Sequence, residues 1–184
     1  MQDSDDFVLS LCPTGIVPTR EMSRHVPLTP EAVASDVASC LPLGVNAVHL
    51  HARNERGENC NQPEIYARFI ESVRSISEDV VICASCSGRI DPSLRARSAV
   101  LDLDDDLRPD MASLTLGSMN FPRSASINSP DVIIGLAEKM QERGIRPELE
   151  IFDIGMMNFA HYLINRGYLE PPYLFNILLG NPCT

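Results

Sequence analysis

Short apolar runs alternate with segments of helical periodicity along the chain. The apolar runs predict six β-strands, at residues 7–14, 46–51, 79–85, 111–117, 148–152 and 173–180. Between them the pattern predicts helices at 30–40, 63–75, 130–143 and 156–166, with a weaker one at 92–101. This strand–helix alternation, repeated about six times, predicts an α/β fold in which helices cover a parallel sheet, in a single domain of residues 1–184.

Each predicted strand has one apolar face and one small or polar face, because side chains alternate along a strand. In the second strand, Val48 and Leu50 oppose Ala47, His49 and His51. An open doubly wound sheet, covered on both faces, would be nearly continuous in Val, Ile and Leu. The pattern therefore favours a TIM-type (β/α)8 barrel with its apolar faces outward, beneath the helices. A full barrel takes ~250 residues, so about six β/α units make an incomplete one.

The polar strand faces should meet at one mouth, since sites in such barrels lie at the C-terminal ends of the strands. His51, Ser85, Thr115 and Glu150 fall near such ends. His49 and His51 share one strand face, and neutral imidazole is the commonest metal ligand, so the pair predicts half of a zinc-type site. On spacing alone, the alternative is two polar residues at a strand end, hydrogen-bonded or solvated.

Composition narrows the class of partner. The formal net charge is -10 at pH 7, which argues against nucleic acid or an anionic membrane surface as the main partner. No apolar run approaches the ~18 residues of a membrane span, and the acidic first six residues are unlike the basic opening of a signal peptide. The six cysteines lie mostly in apolar strand or helix patterns, so we expect reduced thiols and a cytoplasmic location.

Cys83 and Cys86 have the C-x-x-C spacing of some redox and zinc sites. They lie on or beside a predicted strand, where residues three apart face opposite ways, and the sequence has no second C-x-x-C. We therefore interpret both as packing residues. A thiol-redox or zinc-knuckle protein has only this spacing in its favour.

Several motifs occur in one order along nearly the whole chain. They are CPTG at 12–15, HVPLTPE at 25–31, VHLHAR at 48–53, PDMASL at 109–114, GSMNF at 117–121, PELE at 147–150, FDIGM at 152–156 and LLGNP at 178–182. Together they resemble the β-keto acid cleavage enzyme family, which includes the 3-keto-5-aminohexanoate cleavage enzyme of lysine fermentation.

The resemblance implies a zinc-bearing TIM barrel that exchanges acyl groups between a β-keto acid and acetyl-CoA, giving acetoacetate and a new acyl-CoA. His49 and His51 match the family's two histidine ligands. The family's third ligand is a glutamate near the last barrel strand, beside an arginine and an aspartate that serve the chemistry, and this sequence ends before that region. A second departure is SCSGR at 85–89, where relatives usually have a hydroxyl residue, a threonine and two glycines. Ser87 in place of the first glycine would crowd the backbone near the substrate carboxylate.

Three residues on the polar strand faces are candidate catalytic residues. Ser85 and Ser113 would donate hydrogen bonds to substrate oxygens, and Glu150 would orient substrate, move a proton or support the metal ligands. The alternatives are serines that fit a tight barrel interior and a paired structural carboxylate. Asp153 is predicted to cap the following helix.

The candidate substrate-binding residues lie at or near strand ends and in the loops that follow them. They are Thr14, Arg53, Ser87, Gly88 and Thr115. Arg53 would bind an anionic substrate or a CoA phosphate, or else form an ordinary salt bridge. His25 matches a family position near the barrel mouth. Without the resemblance, the sequence would predict only a surface histidine there.

Two further expectations follow from a barrel that has about six strands instead of eight. Unpaired edges would expose apolar side chains around 175–179 and the first strand, which favours a homo-oligomer. Without the third ligand, the chain should bind zinc weakly and turn over little. A non-catalytic remnant or interaction subunit therefore remains the alternative to an enzyme that acts on a small β-keto acid and acetyl-CoA.

Overall fold

The structure is a computed structural model that describes residues 7–181. Its strands are β1 (Ser10–Leu11), β2 (Ala47–Leu50), β3 (Val81–Ala84), β4 (Met111–Thr115), β5 (Met119–Phe121), β6 (Ser124–Ser126), β7 (Arg146–Ile151) and β8 (Leu174–Ile177). Six of them form one parallel sheet in the order β1-β2-β3-β4-β7-β8. The sheet curls into part of a barrel, which confirms the predicted incomplete (β/α)8 fold.

The helices join successive strands of the sheet. They are α1 (Pro30–Cys40), α2 (Pro63–Arg74), α3 (Leu94–Ser98), α4 (Pro130–Arg143) and α5 (Ile154–Asn165), with short 3₁₀ turns at Leu41–Leu43, Ala99–Asp102 and Asp105–Leu107. Local sequence explains their ends. The Thr29 hydroxyl accepts a hydrogen bond from the Ala32 amide, and Asp153 caps α5 by accepting one from the Met156 amide at 2.9 Å. Gly144 ends α4 at φ 65°, a left-handed conformation that favours glycine.

The apolar faces of the strands pack beneath the helices, as the alternation predicts. Val48 and Leu50 of β2 and Ile82 of β3 belong to one buried cluster with Phe69 and Ile70 of α2. The opposite strand faces, which carry the polar residues, are buried as well: His49, Ser113 and Glu148 are each less than 7% exposed. The inner face of the sheet is therefore a polar interior enclosed by the curl.

Two local features differ from the sequence prediction. The first strand is only Ser10–Leu11, far shorter than the predicted 7–14, because it lies at an edge of the sheet and pairs with β2 alone among residues 7–181. An antiparallel hairpin of β5 and β6 follows β4, where no strands were predicted. This hairpin matters for function because it covers the mouth of the barrel.

Both edges of the sheet expose apolar side chains, as predicted. Phe7 and Val8 are 68% and 61% exposed beside β1, and Ile177 and Leu179 are 57% and 88% exposed at and after β8. Within residues 7–181, β8 pairs only with β7. Homo-oligomer formation through these edges stays a prediction. Among the same residues, none of the helices is long and apolar enough to cross a membrane.

Candidate active site

His49 and His51 lie on the same side of the sheet, facing its polar interior. His49 belongs to β2 and His51 follows two residues later, so strand alternation points both imidazoles the same way. Their ring centroids are 5.1 Å apart and the rings are tilted by 35°. This is the arrangement that the H-x-H spacing predicts.

Glu148 on β7 holds the inner histidine. The His49 Nδ1 atom lies 2.8 Å from Oε2 of Glu148, the Cys83 thiol donates to the same oxygen at 3.3 Å, and the Asn176 amide donates to Oε1 at 3.0 Å. Burial alone would raise the pKa of Glu148, but the hydrogen bond and charge of His49 lower it below its ordinary value. Glu148 is therefore an ionised carboxylate at the base of the site, with hydrogen bonds to both of its oxygens.

The two imidazoles have opposite electrostatic environments. Burial would lower the pKa of His49, but the hydrogen bond and charge of Glu148 outweigh it and raise that pKa. Burial lowers the pKa of His51 to about 3, with help from the charges of His49, Arg53 and Arg89. His51 is therefore neutral near pH 7, which is the state that ligates metals.

These residues fit a metal ion. A histidine that donates Nδ1–H to a carboxylate keeps the lone pair of Nε2 for a metal, and such carboxylate–histidine pairs are the usual support of metal-binding imidazoles. His49 with Glu148 has this arrangement, and the neutral His51 imidazole lies beside it. The donor chemistry suits zinc, which favours nitrogen and sulfur ligands.

A second set of donors overlaps the first. Three buried residues each place one potential ligand atom within 4.8 Å of the other two: His49, Cys83 and Glu148. Burial raises the pKa of the Cys83 thiol well above its ordinary value, and the charge of Glu148 adds to the shift. The Cys83 thiol donates to Glu148, a contact that fits a group supporting this carboxylate.

Glu150 lies on the same strand face as Glu148, closer to the mouth. It accepts a hydrogen bond from the Thr115 hydroxyl, opposite it on β4. Burial raises the pKa of Glu150, although the charge of His49 and the Thr115 hydrogen bond act against it. A carboxyl with a raised pKa next to a metal-binding pair can hold and release a proton, as a general acid–base requires.

We expect the free energy of unfolding of Glu150→Gln, measured relative to that of the wild type, to increase as pH rises. A carboxyl whose pKa is raised on folding binds its proton more tightly in the folded chain. The wild type therefore loses stability as pH rises from the ordinary value of 4.5 towards the folded pKa. Glutamine cannot ionise, so the gap should widen from about pH 4 to pH 8 in urea unfolding. Glu138→Gln, at an exposed position of α4, should show no such trend; an equal trend would contradict the buried-carboxyl account.

A cavity of about 120 Å³ lies at the mouth of the barrel. Five predicted site residues meet there: His51, Ser85, Ser87, Thr115 and Glu150. The rest of its wall comes from the loop after β1, from the loop after β3, from the hairpin and from the end of β7, and consists of Ile16, Arg89, Met119, Phe121, Ser126 and Phe152. Four strand ends and the hairpin thus enclose one small space, lined by both polar and apolar side chains.

Other predicted residues lie outside this cavity and have different partners. His49 lies deeper, on Glu148, and Ser113 accepts a hydrogen bond from the Cys86 amide at 3.1 Å, which fixes the start of the 85–89 loop. Arg53 donates to the carbonyl oxygens of Gly57 at 3.0 Å and Pro18 at 3.1 Å. Arg53 therefore holds the loop after β1, and no carboxylate within residues 7–181 forms a salt bridge with it.

Three further candidates also lie apart from the cavity. The Thr14 hydroxyl is buried without a hydrogen-bond partner in the part of the chain described. A Cβ at Gly88 would lie 3.0 Å from the Ile127 carbonyl oxygen and 3.2 Å from Nη1 of Arg97, so this glycine permits close packing behind the loop. His25 is exposed, and its Nε2 accepts a hydrogen bond from Arg24 at 3.1 Å.

Sequence reasoning missed several residues of the site. Strand alternation places Glu148 on the same face as Glu150, but nothing in the sequence pattern assigns Glu148 a role. Cys83 was interpreted as packing; it contacts Glu148, whereas Cys86 lies in the apolar cluster, so the pair does point opposite ways. Arg89 and the hairpin were also missed. The sequence signal for the hairpin was Pro122, a turn-forming residue between two short runs.

A model of the family described as beta-keto acid cleavage enzyme matches residues 6–184. The chain belongs to this family. It is 31% identical over 173 residues to the 3-oxoadipate:acetyl-CoA acetyltransferase of Cupriavidus necator, covering 94% of the chain and 59% of that relative. It is 29% identical to a 3-keto-5-aminohexanoate cleavage enzyme of Fusobacterium nucleatum, covering 96% of the chain and 64% of the relative. The chain thus spans about three fifths of the length of these relatives.

Solved structures share the fold. The apo structure of ObcA is 25% identical, with a TM-score of 0.73 over 83% of this chain and 36% of that one. A ternary complex of ObcA with a C4-CoA adduct and oxalate is 24% identical, with a TM-score of 0.74 over 83% of this chain and 37% of ObcA. These matches are consistent with a partial barrel that corresponds to part of a longer domain.

Proposed function

We propose that this chain supplies the metal-binding and proton-transfer residues of a zinc-dependent enzyme that condenses a β-keto acid with acetyl-CoA. The products are acetoacetate and a new acyl-CoA. The observation that carries the proposal is the pair His49 and His51 on one interior face, with Glu148 holding the inner ring and Glu150 beside them. Relatives in the family bear names of acetyl-CoA-dependent enzymes with different keto acid substrates.

The proposed reaction exchanges one carbon–carbon bond for another. The bond between C2 and C3 of the β-keto acid breaks, and C2 forms a bond to the acetyl carbonyl carbon. The carbon–sulfur bond of acetyl-CoA breaks, and the acyl group that begins at C3 forms a new thioester bond with the CoA sulfur that is released. Zinc, when bound, supplies a Lewis acid that polarises the substrate oxygens.

The chain's own residues have distinct tasks in this reaction. Glu150, held by Thr115, takes or returns a proton at its carboxylate oxygen. Ser85 lines the cavity with its hydroxyl available to a substrate oxygen, where negative charge develops as the C2–C3 bond breaks. Glu148 keeps the His49 ring in place from behind. The hairpin excludes water from the mouth by placing Phe121 against Phe152, with ring centroids 5.9 Å apart.

An isotope experiment tests this function. The chain, and the chain joined to the C-terminal segment of the Cupriavidus necator relative, would be given β-keto acids and acetyl-CoA labelled in the acetyl carbonyl carbon. We expect the label at the ketone carbon of acetoacetate, with the unlabelled acyl group on CoA, as seen by mass spectrometry. Hydrolysis of acetyl-CoA would instead give labelled acetate and free CoA, with the keto acid unchanged and no new acyl-CoA.

Two controls make the test specific. A chelator should stop label transfer and added zinc should restore it, since the proposal requires the metal. Glu150→Gln should slow transfer by about 100-fold or more, as expected for loss of a general acid–base. If the joined protein forms no acyl-CoA from any β-keto acid supplied, the proposed function is wrong.

A non-catalytic interaction subunit is the second candidate. The observation in its favour is the pair of open sheet edges, where Phe7, Val8, Ile177 and Leu179 are exposed. An interaction subunit would bind a partner through these edges, and replacing His49 and His51 would leave that binding unchanged. Label transfer that depends on both histidines would exclude this candidate.

A further inference from the structure

Arg89 places a positive charge in the wall of the mouth cavity. It lies in the loop after β3, and its guanidinium carbon is 4.3 Å from the centroid of the Phe121 ring on the hairpin. Its Nη2 atom donates to the Ser124 hydroxyl at 3.3 Å. These contacts hold the cation against the hairpin while it remains part of the cavity wall with His51 and Glu150.

No carboxylate within residues 7–181 forms an ion pair with Arg89. The salt bridges of this part of the chain involve His49, Arg74, Lys139 and Arg143, and Glu150, although it lines the same cavity, receives its hydrogen bond from Thr115. The chain carries 25 Asp and Glu against 15 Lys and Arg. A guanidinium in a polar cavity that lacks a carboxylate partner in so acidic a chain is well placed to bind an anion from outside.

Hydrogen bonds from buried side chains hold the loop that carries Arg89. The Arg97 side chain is 1% exposed, and its Nε atom donates to the Cys86 carbonyl at 2.7 Å. The Ser113 hydroxyl accepts a hydrogen bond from the Cys86 amide. The Ser87 hydroxyl accepts one from the Arg89 amide at 3.4 Å. The backbone before Arg89 is thus anchored to the fold by two hydrogen bonds at Cys86 and stiffened by a third within the loop. These bonds constrain the position of the Arg89 charge relative to His51.

We propose that Arg89 is a specificity-determining residue that binds a second carboxylate, at the end of the substrate distant from the β-keto acid group. This inference rests on the proposed function, which puts the keto acid group at the histidine side of the cavity. The substrate class is then a short β-keto acid with a terminal carboxylate. The volume of about 120 Å³, well below the ~300 Å³ of an ordinary ligand pocket, fits a short chain.

A purely structural role for Arg89 predicts something different. If Arg89 only joins the loop to the hairpin through Phe121 and Ser124, its loss should loosen the cavity for every ligand alike. If it binds a carboxylate, its loss should weaken only the ligands that have one at that end. The ratio of two affinities therefore separates the two roles.

Isothermal titration of the 184-residue chain in the presence of zinc provides that ratio. The two probes are 3-oxoadipate and 3-oxohexanoate, which have the same number of carbons and differ in a terminal carboxylate against a methyl group. We expect the wild type to bind the dicarboxylate about tenfold or more tightly, as a charge-assisted hydrogen bond implies. Arg89→Met should remove the preference, Arg89→Lys should keep part of it, and Arg95→Met, at an exposed position of α3, should keep all of it.

The outcomes distinguish this inference from the proposed function. Equal binding of the two acids by the wild type, or a preference that survives Arg89→Met, overturns the inference and leaves the function standing. Binding of neither acid, together with no acyl-CoA formation by the chain joined to a relative's C-terminal segment, overturns both. Circular dichroism of each variant shows that a lost preference does not come from a lost fold.

Discussion

Replacing His49 or His51 by alanine is expected to reduce zinc affinity by more than about 100-fold, because each removes one of the imidazole ligands and leaves a site of lower coordination. The two ring centroids are 5.1 Å apart and share one strand face, so under the proposed function one zinc ion would contact both rings. Titration calorimetry with zinc, or competition with a coloured chelator, measures the loss. His25→Ala and His161→Ala, at exposed positions, are the matched controls and should bind zinc as the wild type does.

Two more variants decide between the overlapping sets of donors. Glu148→Gln should lower zinc affinity by about 10–100-fold, the usual effect of losing the carboxylate behind a metal-binding histidine. Cys83→Ser should have little effect, because the Cys83 thiol donates to Glu148 rather than facing the ion. The opposite pattern, with Cys83→Ser abolishing binding and His51→Ala leaving it intact, would place the ion between His49, Cys83 and Glu148.

Strand alternation predicted the orientation of the site because it needs only the sequence. Each residue of a strand faces away from its neighbours, so the H-x-H spacing was enough to put both rings on one side. Alternation could not predict which side chains meet across strands. His49 on β2 contacts Glu148 on β7, although β3 and β4 lie between these strands in the sheet. The contact exists because the sheet curls, and that curl depends on tertiary packing.

Loops were the least predictable part of the site. The sequence showed that Arg53 needs partners, but carbonyl oxygens of a neighbouring loop leave no charge pattern to recognise, and these are what Arg53 binds. The hairpin of β5 and β6 was missed for a related reason, since three-residue strands are too short to show alternation. Arg89 gains its role from this hairpin, through Phe121 and Ser124, so it was missed with it.

The unpaired edges of the sheet, at β1 and β8, are expected to limit the activity of the chain alone. Within residues 7–181, β1 and β8 each pair on one side only, and the chain spans 59% of the length of the Cupriavidus necator relative. The resemblance implies that the family's third metal ligand, a glutamate, lies near the last barrel strand. A protein that contains both parts should pair the two edges and complete the ligand set.

Joining the C-terminal segment of that relative to this chain is therefore expected to raise acyl-CoA formation by at least about 100-fold over the chain alone, because coordination and barrel closure are restored together. The rate of acyl-CoA formation measures activity, and sedimentation velocity shows whether covering the exposed residues at 175–179 changes the oligomeric state. The same joined protein with His49→Ala and His51→Ala is the control, since it closes the barrel without the ligands and should stay inactive. Equal rates for the joined protein and the chain alone would show that the segment adds nothing to catalysis, and the chain would then hold its metal through residues 1–184 only.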